Sequence, residues 1–344
     1  MADSTAPPSL EVNLMPPAAI HPWVEQFQHK VGFGLQLVPR ADDPEPARRL
    51  LDLASLAESL GYDAFFLGDH PAYMLDPWLH LSAAALRTRR IRLGSVVLCA
   101  AYRLPLVTAR LAADLDRLSD GRFVFGLGHG WNAAEFAQLG IPFPPVAERQ
   151  QALAEMVEII DGVWGPEPFT FRGHCHNVTD ARIAPPPLQQ PRPPLILAGG
   201  GERVGLRLVA RYADACNFGP GHATGLARSA DEVRRKIEAL RRHCAAEGRP
   251  FDAILRTHFT SWLMVAADAA AAIAKRDRYY PQGLNEEQRH SRVIGAPDAV
   301  AAYYQSLVDL GMQYFVVQVQ DAADVETIEL FAREVMPRLV ARPA

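Results

Sequence analysis

Eight short runs rich in apolar, β-branched and aromatic residues recur between residues 31 and 319, with helical periodicities between them, and this alternation restricts the fold of the 344-residue chain more than any other feature. The runs are VGFGLQLV from Val31, AFFLGDH from Ala64, IRLGSVVL from Ile91, RFVFGLGHG from Arg122, PLILAGG from Pro194, ADACNFG from Ala213, ILRTHFTSWLMV from Ile254 and YFVVQV from Tyr314. Strands that alternate with helices form βα units around a parallel sheet. Eight of them close a barrel. Leu50, Leu53, Ala54, Ala57 and Leu60 keep the spacing that buries one helical stripe, and Gly61 supplies a stop. Val233, Ile237, Leu240 and Cys244 form a second stripe, and Ile328, Phe331, Val335 and Leu339 a third. The expected fold is α/β, a (β/α)8 TIM barrel with insertions on its loops, forming one domain over residues 31–340. Residues 1–30 read as a flexible Pro-rich arm that docks on a neighbouring subunit.

Two stretches break the alternation, and irregular insertions on a rigid barrel are where binding loops sit. Residues 165–194 carry eight prolines and are expected to include a short hairpin. Residues 275–297, with their Tyr, Arg and Glu content, read as either a mobile lid or a solvated loop. The formal net charge of −4 speaks against nucleic acid or an anionic membrane as a partner. No apolar run reaches 18 residues, and the N-terminal stretch lacks the basic and apolar regions of a secretory signal. The four cysteines, at 99, 175, 216 and 244, show no C-x-x-C spacing, so reduced thiols in a cytoplasm are expected.

Chemistry is expected at the carboxyl ends of the strands. In FGLGHGWNAAEF, Gly126, Gly128 and Gly130 leave one strand face bare, which suits close approach by another backbone or by a planar ligand. Asn132 and Glu135 resemble a helix-capping pair. GDH places Asp69 and His70 on the same rim, where an imidazole suits proton transfer. Asp69 would either orient His70 or cap the next turn. Gly199, Gly200 and Gly201 lead from a strand into a helix and offer free N–H groups to a phosphate. Neither Gly-rich loop supplies G-x-G-x-x-G, because Val204 and Trp131 hold the third glycine position, so dinucleotide binding of the Rossmann type is disfavoured. Cys99 ends the third strand; a nucleophilic role would need His70 or His129 as its base, and a small buried hydrophobe is the plainer reading. The HCH at residues 174–176 lacks further ligands at metal spacing, and no metal site is expected.

The block from Asp116 to Trp164, which contains GLGHGWNAAEF, together with LGDH upstream and VIGAPDAVAAYYQSLVDLGMQYFVVQV downstream, resembles the bacterial luciferase-like monooxygenase superfamily. The likeness runs from about residue 31 to 338 and is most similar to the F420-dependent oxidoreductase branch. It implies a barrel that binds F420, or alternatively FMN, at the carboxyl ends of its strands. It also implies His70 as proton donor or acceptor and Val96 and Val97 as a bulged strand end, often with a non-prolyl cis peptide, on which the ring rests. Gly199, Gly200, Gly201, Glu202 and Arg203 match the phosphate-binding loop, and Cys99, Gly128, His129, Gly130, Trp131 and Asn132 fall around the ring. Trp131 occupies the position of a catalytic glutamate in the sugar-phosphate dehydrogenases of that branch, which counts against sugar-phosphate oxidation. The implied activity is hydride transfer between cofactor and a small organic substrate; with FMN, the reduced flavin would instead activate oxygen. A homodimer is the form common in the family. A metal-dependent barrel hydrolase, which would show H-x-H on the first strand, and a non-catalytic ligand carrier are the competing readings. Phe65, Tyr73, Trp78, Tyr102, Trp131 and Phe218 are candidates for an aromatic pocket, with about half of them expected in the core.

Overall fold

The computed structural model describes residues 20–38, 43–221 and 224–341. Its strands, in chain order, are β1 (Gly32–Leu37), β2 (Ala64–Leu67), β3 (Arg92–Ser95), β4 (Leu98–Cys99), β5 (Phe123–Gly128), β6 (Phe169–Arg172), β7 (Asn177–Ala181), β8 (Leu195–Ala198), β9 (Ala215–Phe218), β10 (Leu255–Val265), β11 (Val293–Gly295) and β12 (Tyr314–Val319). Parallel pairings run from β12 through β1, β2, β3, β5, β8, β9 and β10 back to β12, so the sheet closes. This is the (β/α)8 barrel, and each of its eight strands overlaps one of the eight apolar runs. β4 continues β3 after a break at Val96 and Val97 and pairs with β5.

Residues of β1, β2, β5, β9 and β12 are buried along their whole length, because one face meets the barrel interior and the other meets the helices. Two cores result. The outer one includes Leu50, Leu53, Ala54 and Ala57 from helix Pro46–Ser59, whose chain reverses at Gly61 with φ +84°. The inner one fills the barrel with Phe66, Val124, Ile196, Leu255, Tyr314 and Val316.

The inner core also holds Trp23, Val24 and Phe27, so residues 20–30 of the expected arm are packed into the barrel. His21 caps a one-turn helix, Pro22–Glu25, and its Nε2 lies 2.9 Å from the Arg192 carbonyl oxygen. The helix sets Trp23 and Phe27 edge-on against Tyr314 at the amino end of the barrel. Apolar side chains buried against a ready-made cavity outweigh the Pro-rich composition around them. Residues 1–19 lie outside the described residues.

The stretch 165–194 contains the expected hairpin, β6 with β7. The stretch 275–297 is more regular than expected. Helix Ala269–Tyr279 extends into it, and a capping box from Asn285 and Gln288 starts a helix at Glu286. β11 then pairs parallel with the end of β10. Among the described residues no helix is long and apolar enough to cross a membrane.

Candidate active site

A cavity of about 620 Å³ opens at the carboxyl ends of the barrel strands. That volume is in the range of small-molecule and cofactor sites. Strand ends supply Gln36, His70, Val97, Gly128 and Asn217, and the stretch after β10 adds Glu287, Ser291 and Arg292.

His70 follows β2 and carries its ring between aromatic neighbours, stacked on Tyr73 at 4.9 Å and edge-on to Trp131 at 6.0 Å. Its Nδ1 lies 2.8 Å from Glu135 Oε2, which also accepts from the Tyr102 hydroxyl at 2.9 Å. Asn132 does cap helix Ala133–Gln138 through the Glu135 amide. The Glu135 carboxylate, however, turns inward to His70 instead of completing a capping box. Capping chemistry and site chemistry share the same sequence signal, and only the position of β2 separates them.

Asp69 does not orient His70. Its carboxylate accepts two bonds from Arg103, at 2.6 and 3.0 Å, and one from the Cys99 amide at 3.0 Å. It is thus a brace for the end of β4, which corrects its expected place in the chemistry. Cys99 is buried against this brace, and burial pushes its thiol up to about 12. A thiolate nucleophile is disfavoured there. His129 is bonded through Nδ1 to the Gly130 carbonyl at 2.8 Å, and burial pushes its pKa down.

The glycines of β5 and Gly130 just beyond it serve a nearer neighbour than a ligand. A Cβ at Gly126 would lie 1.9 Å from the Ser95 carbonyl oxygen, one at Gly128 would lie 2.7 Å from a Val97 methyl, and one at Gly130 would meet Phe136 and the Cys99 sulfur. The bare face of β5 is therefore filled by the segment between β3 and β4, which bulges over it with a cis peptide between Val96 and Val97. Gln36 on β1 secures the bulge by donating to the Val96 carbonyl at 2.7 Å. The shelf in the cavity is this bulge, and the glycines make room beneath it.

A family model for luciferase-like monooxygenases matches residues 29–313. The chain belongs to that family. The F420-dependent glucose-6-phosphate dehydrogenase of Intrasporangium calvum is 30% identical over 331 residues, covering 85% of this chain and 95% of that one. The 4-hydroxyprotoasukamycin monooxygenase of Streptomyces nodosus subsp. asukaensis is 28% identical, covering 90% and 92%. The F420-dependent tetrahydromethanopterin reductase of Methanopyrus kandleri superposes with a TM-score of 0.76 at 22% identity, over 90% of this chain and 99% of that one.

In this luciferase-like protein the glycine loop after β8 divides into two parts. Gly199 lines the cavity, whereas Gly200, Gly201, Glu202 and Arg203 lie beyond its wall. A Cβ at Gly200 would meet the Thr224 carbonyl at 2.7 Å, so that glycine permits two loops to cross. Gly201 is open, with nothing within 4 Å of a Cβ. Glu202 accepts from Arg235 at 2.8 Å, and Lys236 donates to the Gly200 carbonyl. The Glu202 carbonyl is bonded by His243 Nε2 at 2.7 Å. Arg203 is exposed.

Of the six candidate aromatics, Tyr73, Tyr102 and Trp131 line the cavity and Phe65, Trp78 and Phe218 are core. Phe259 and Trp262, from within β10, add to the wall. Trp262 has φ +59°, and the β10–β12 register shifts between Thr260 and Leu263. Such a backbone is uncommon for a bulky residue and marks a bulge that turns a strand side chain into the site. Arg292 packs near Trp262 and Tyr280. The HCH at 174–176 is a turn whose three amides each donate at 2.8 Å to the Glu155 carboxylate. Burial would raise that carboxyl, but Gln151 and the three amides hold it below its ordinary value.

Proposed function

We propose that the chain is an F420-dependent oxidoreductase that moves a hydride between the deazaflavin and a small organic substrate. One observation carries this reading: the Val96–Val97 bulge, His70 and Gly199 line the same cavity. The residues present fit a deazaflavin. The bulge offers a flat platform, and Gln36 Oε1 in the cavity wall is buried with no partner among the described residues, an acceptor that a ring N–H would satisfy. Gly199, where the glycine loop meets the cavity, would hold the phosphate-bearing tail. When bound, the cofactor supplies hydride exchange at its ring.

The chain supplies position and a proton path. In the oxidative direction His70 would take the hydroxyl proton at Nε2 as the substrate carbonyl forms and the hydride of the carbinol carbon passes to a bound deazaflavin. In the reductive direction it returns that proton. Tyr73 and Trp131 flank the imidazole and Trp262 lines the same cavity, an aromatic lining that favours a ring-bearing substrate over a sugar phosphate. A homodimer in the cytoplasm belongs to the same proposal.

Reduced FMN with oxygen is the second reading, supported by the likeness to a named monooxygenase, and it would use the same cavity. Titration of the purified protein with F420 and with FMN, followed by quenching of tryptophan fluorescence, separates the two. F420 should bind at least about tenfold more tightly, a difference of roughly 1.4 kcal/mol. Preferential binding of FMN would move the assignment to the oxygenase.

A further inference from the structure

We propose that Glu135 is the positioning residue of His70, fixing the Nδ1–H tautomer and balancing the charge when Nε2 takes up a proton. The inference rests on His70 being the proton-transfer group of the preceding reading. Glu135 stands 65 residues further along the chain, in the helix after β5, with its side chain 1% exposed. A carboxylate can only accept, so at 2.8 Å the imidazole must donate from Nδ1. That leaves Nε2 as the nitrogen that exchanges its proton. Tyr102 donates to the same Oε2, which fixes the carboxylate without neutralising it. The other oxygen, Oε1, is buried with no partner among the described residues. An imidazolium is therefore the charge that completes this pair.

Among the described residues Glu135 is the carboxylate bonded to the His70 ring, while Glu287 and Arg292 line the same cavity without a hydrogen bond to it. Asp69, the adjacent carboxylate, is engaged by Arg103 and the Cys99 amide. Asp76 faces the same Arg103 at 3.4 Å. Arg149, from helix Val146–Val163, is turned to the Gly130 carbonyl. Tyr73 stacks on the ring face, and its hydroxyl is held up to about 12 by burial and by Glu135, while burial holds that of Tyr102 higher still. The arrangement of acid, imidazole and free nitrogen is that of a base oriented by a third group.

Nitrogen NMR of histidine-labelled protein tests this without a known substrate, with the His70 signal assigned by its loss in His70→Gln. In the wild type the neutral ring should carry its proton on Nδ1; a proton on Nε2 would overturn the proposal. In Glu135→Leu, which removes the acceptor, the ring should lose that preference and populate the Nε2-protonated form, whereas Glu135→Gln, whose amide oxygen still accepts from Nδ1, should keep it. An unchanged Nδ1 tautomer in Glu135→Leu also defeats the proposal. F420 titration of the same samples keeps the two ideas apart: absence of F420 binding by the wild type sinks the cofactor reading, whereas the tautomer reports only on Glu135.

Discussion

Gly126 and Gly201 are both glycines in Gly-rich strand-end segments, and their surroundings make opposite demands on a side chain. At Gly126 a methyl would sit 1.9 Å from a backbone carbonyl of the neighbouring strand, which cannot rotate away. Gly126→Ala should destabilise the protein by about 1–3 kcal/mol through overpacking, and more if the bulge cannot shift. Gly201→Ala should stay within about 1 kcal/mol of wild type, since its Cβ meets nothing. Urea unfolding of both variants is the check, and equal losses would mean that the bulge does not rest on β5. The bare face itself is legible in the spacing of Gly126, Gly128 and Gly130. What lies on it at Gly126 and Gly128 is not, because the occupant comes from residues 95–97 and meets β5 only when the strands pair. Glu135 shows the same division. Its distance of three from Asn132 announces a cap, and its partner His70 is fixed by tertiary contact alone.

At the level of elements, the helix Pro22–Glu25 is one turn long and would not persist alone. It exists because Trp23 and Phe27 fill the amino end of the barrel against Tyr314. Trp23 is fully buried, so Trp23→Ala should cost about 3–5 kcal/mol, measured as a shift in the denaturation midpoint. An unchanged midpoint would return residues 20–30 to the status of an arm. Bulges are the other element-scale device. β3–β4 and β10 each interrupt their ladder just below the cavity, presenting the Val96–Val97 shelf and Trp262 respectively. Both strands are legible as strands from their apolar runs. The interruptions are not, since a bulge is decided by pairing with the neighbour.

Across the whole molecule, burial sets how stability responds to acid. His258 on β10 is fully enclosed beside Phe315 and near Thr260, and burial pushes it from 6.5 down to about 3. Between those values the unfolded chain binds a proton that the folded chain does not, so stability is full above pH 6.5 and declines as pH falls towards 3. By pH 5 the loss from this residue should be about 2 kcal/mol, from 1.5 pH units at roughly 1.36 kcal/mol each. Asp161 acts with the opposite sign, because burial pushes its carboxyl up to about 6. Comparing wild type with His258→Phe isolates the histidine: the variant should lose about 2 kcal/mol less between pH 7 and pH 5 in urea titrations. Equal losses would mean that His258 titrates in the folded state.

The number of strands, their order and the end of the barrel that carries chemistry were determined by local signals, apolar runs of strand length, helical stripes and glycines at strand ends, each of which acts within a few residues. His70 and the Gly199 loop were within reach of the same signals. The pairing of His70 with Glu135, the bracing of Asp69 by Arg103, the shelf over Gly126 and Gly128, and the burial of Trp23 were decided only by the tertiary structure. Each depends on groups 29 or more residues apart meeting within a few ångströms, and barrel closure alone sets that distance.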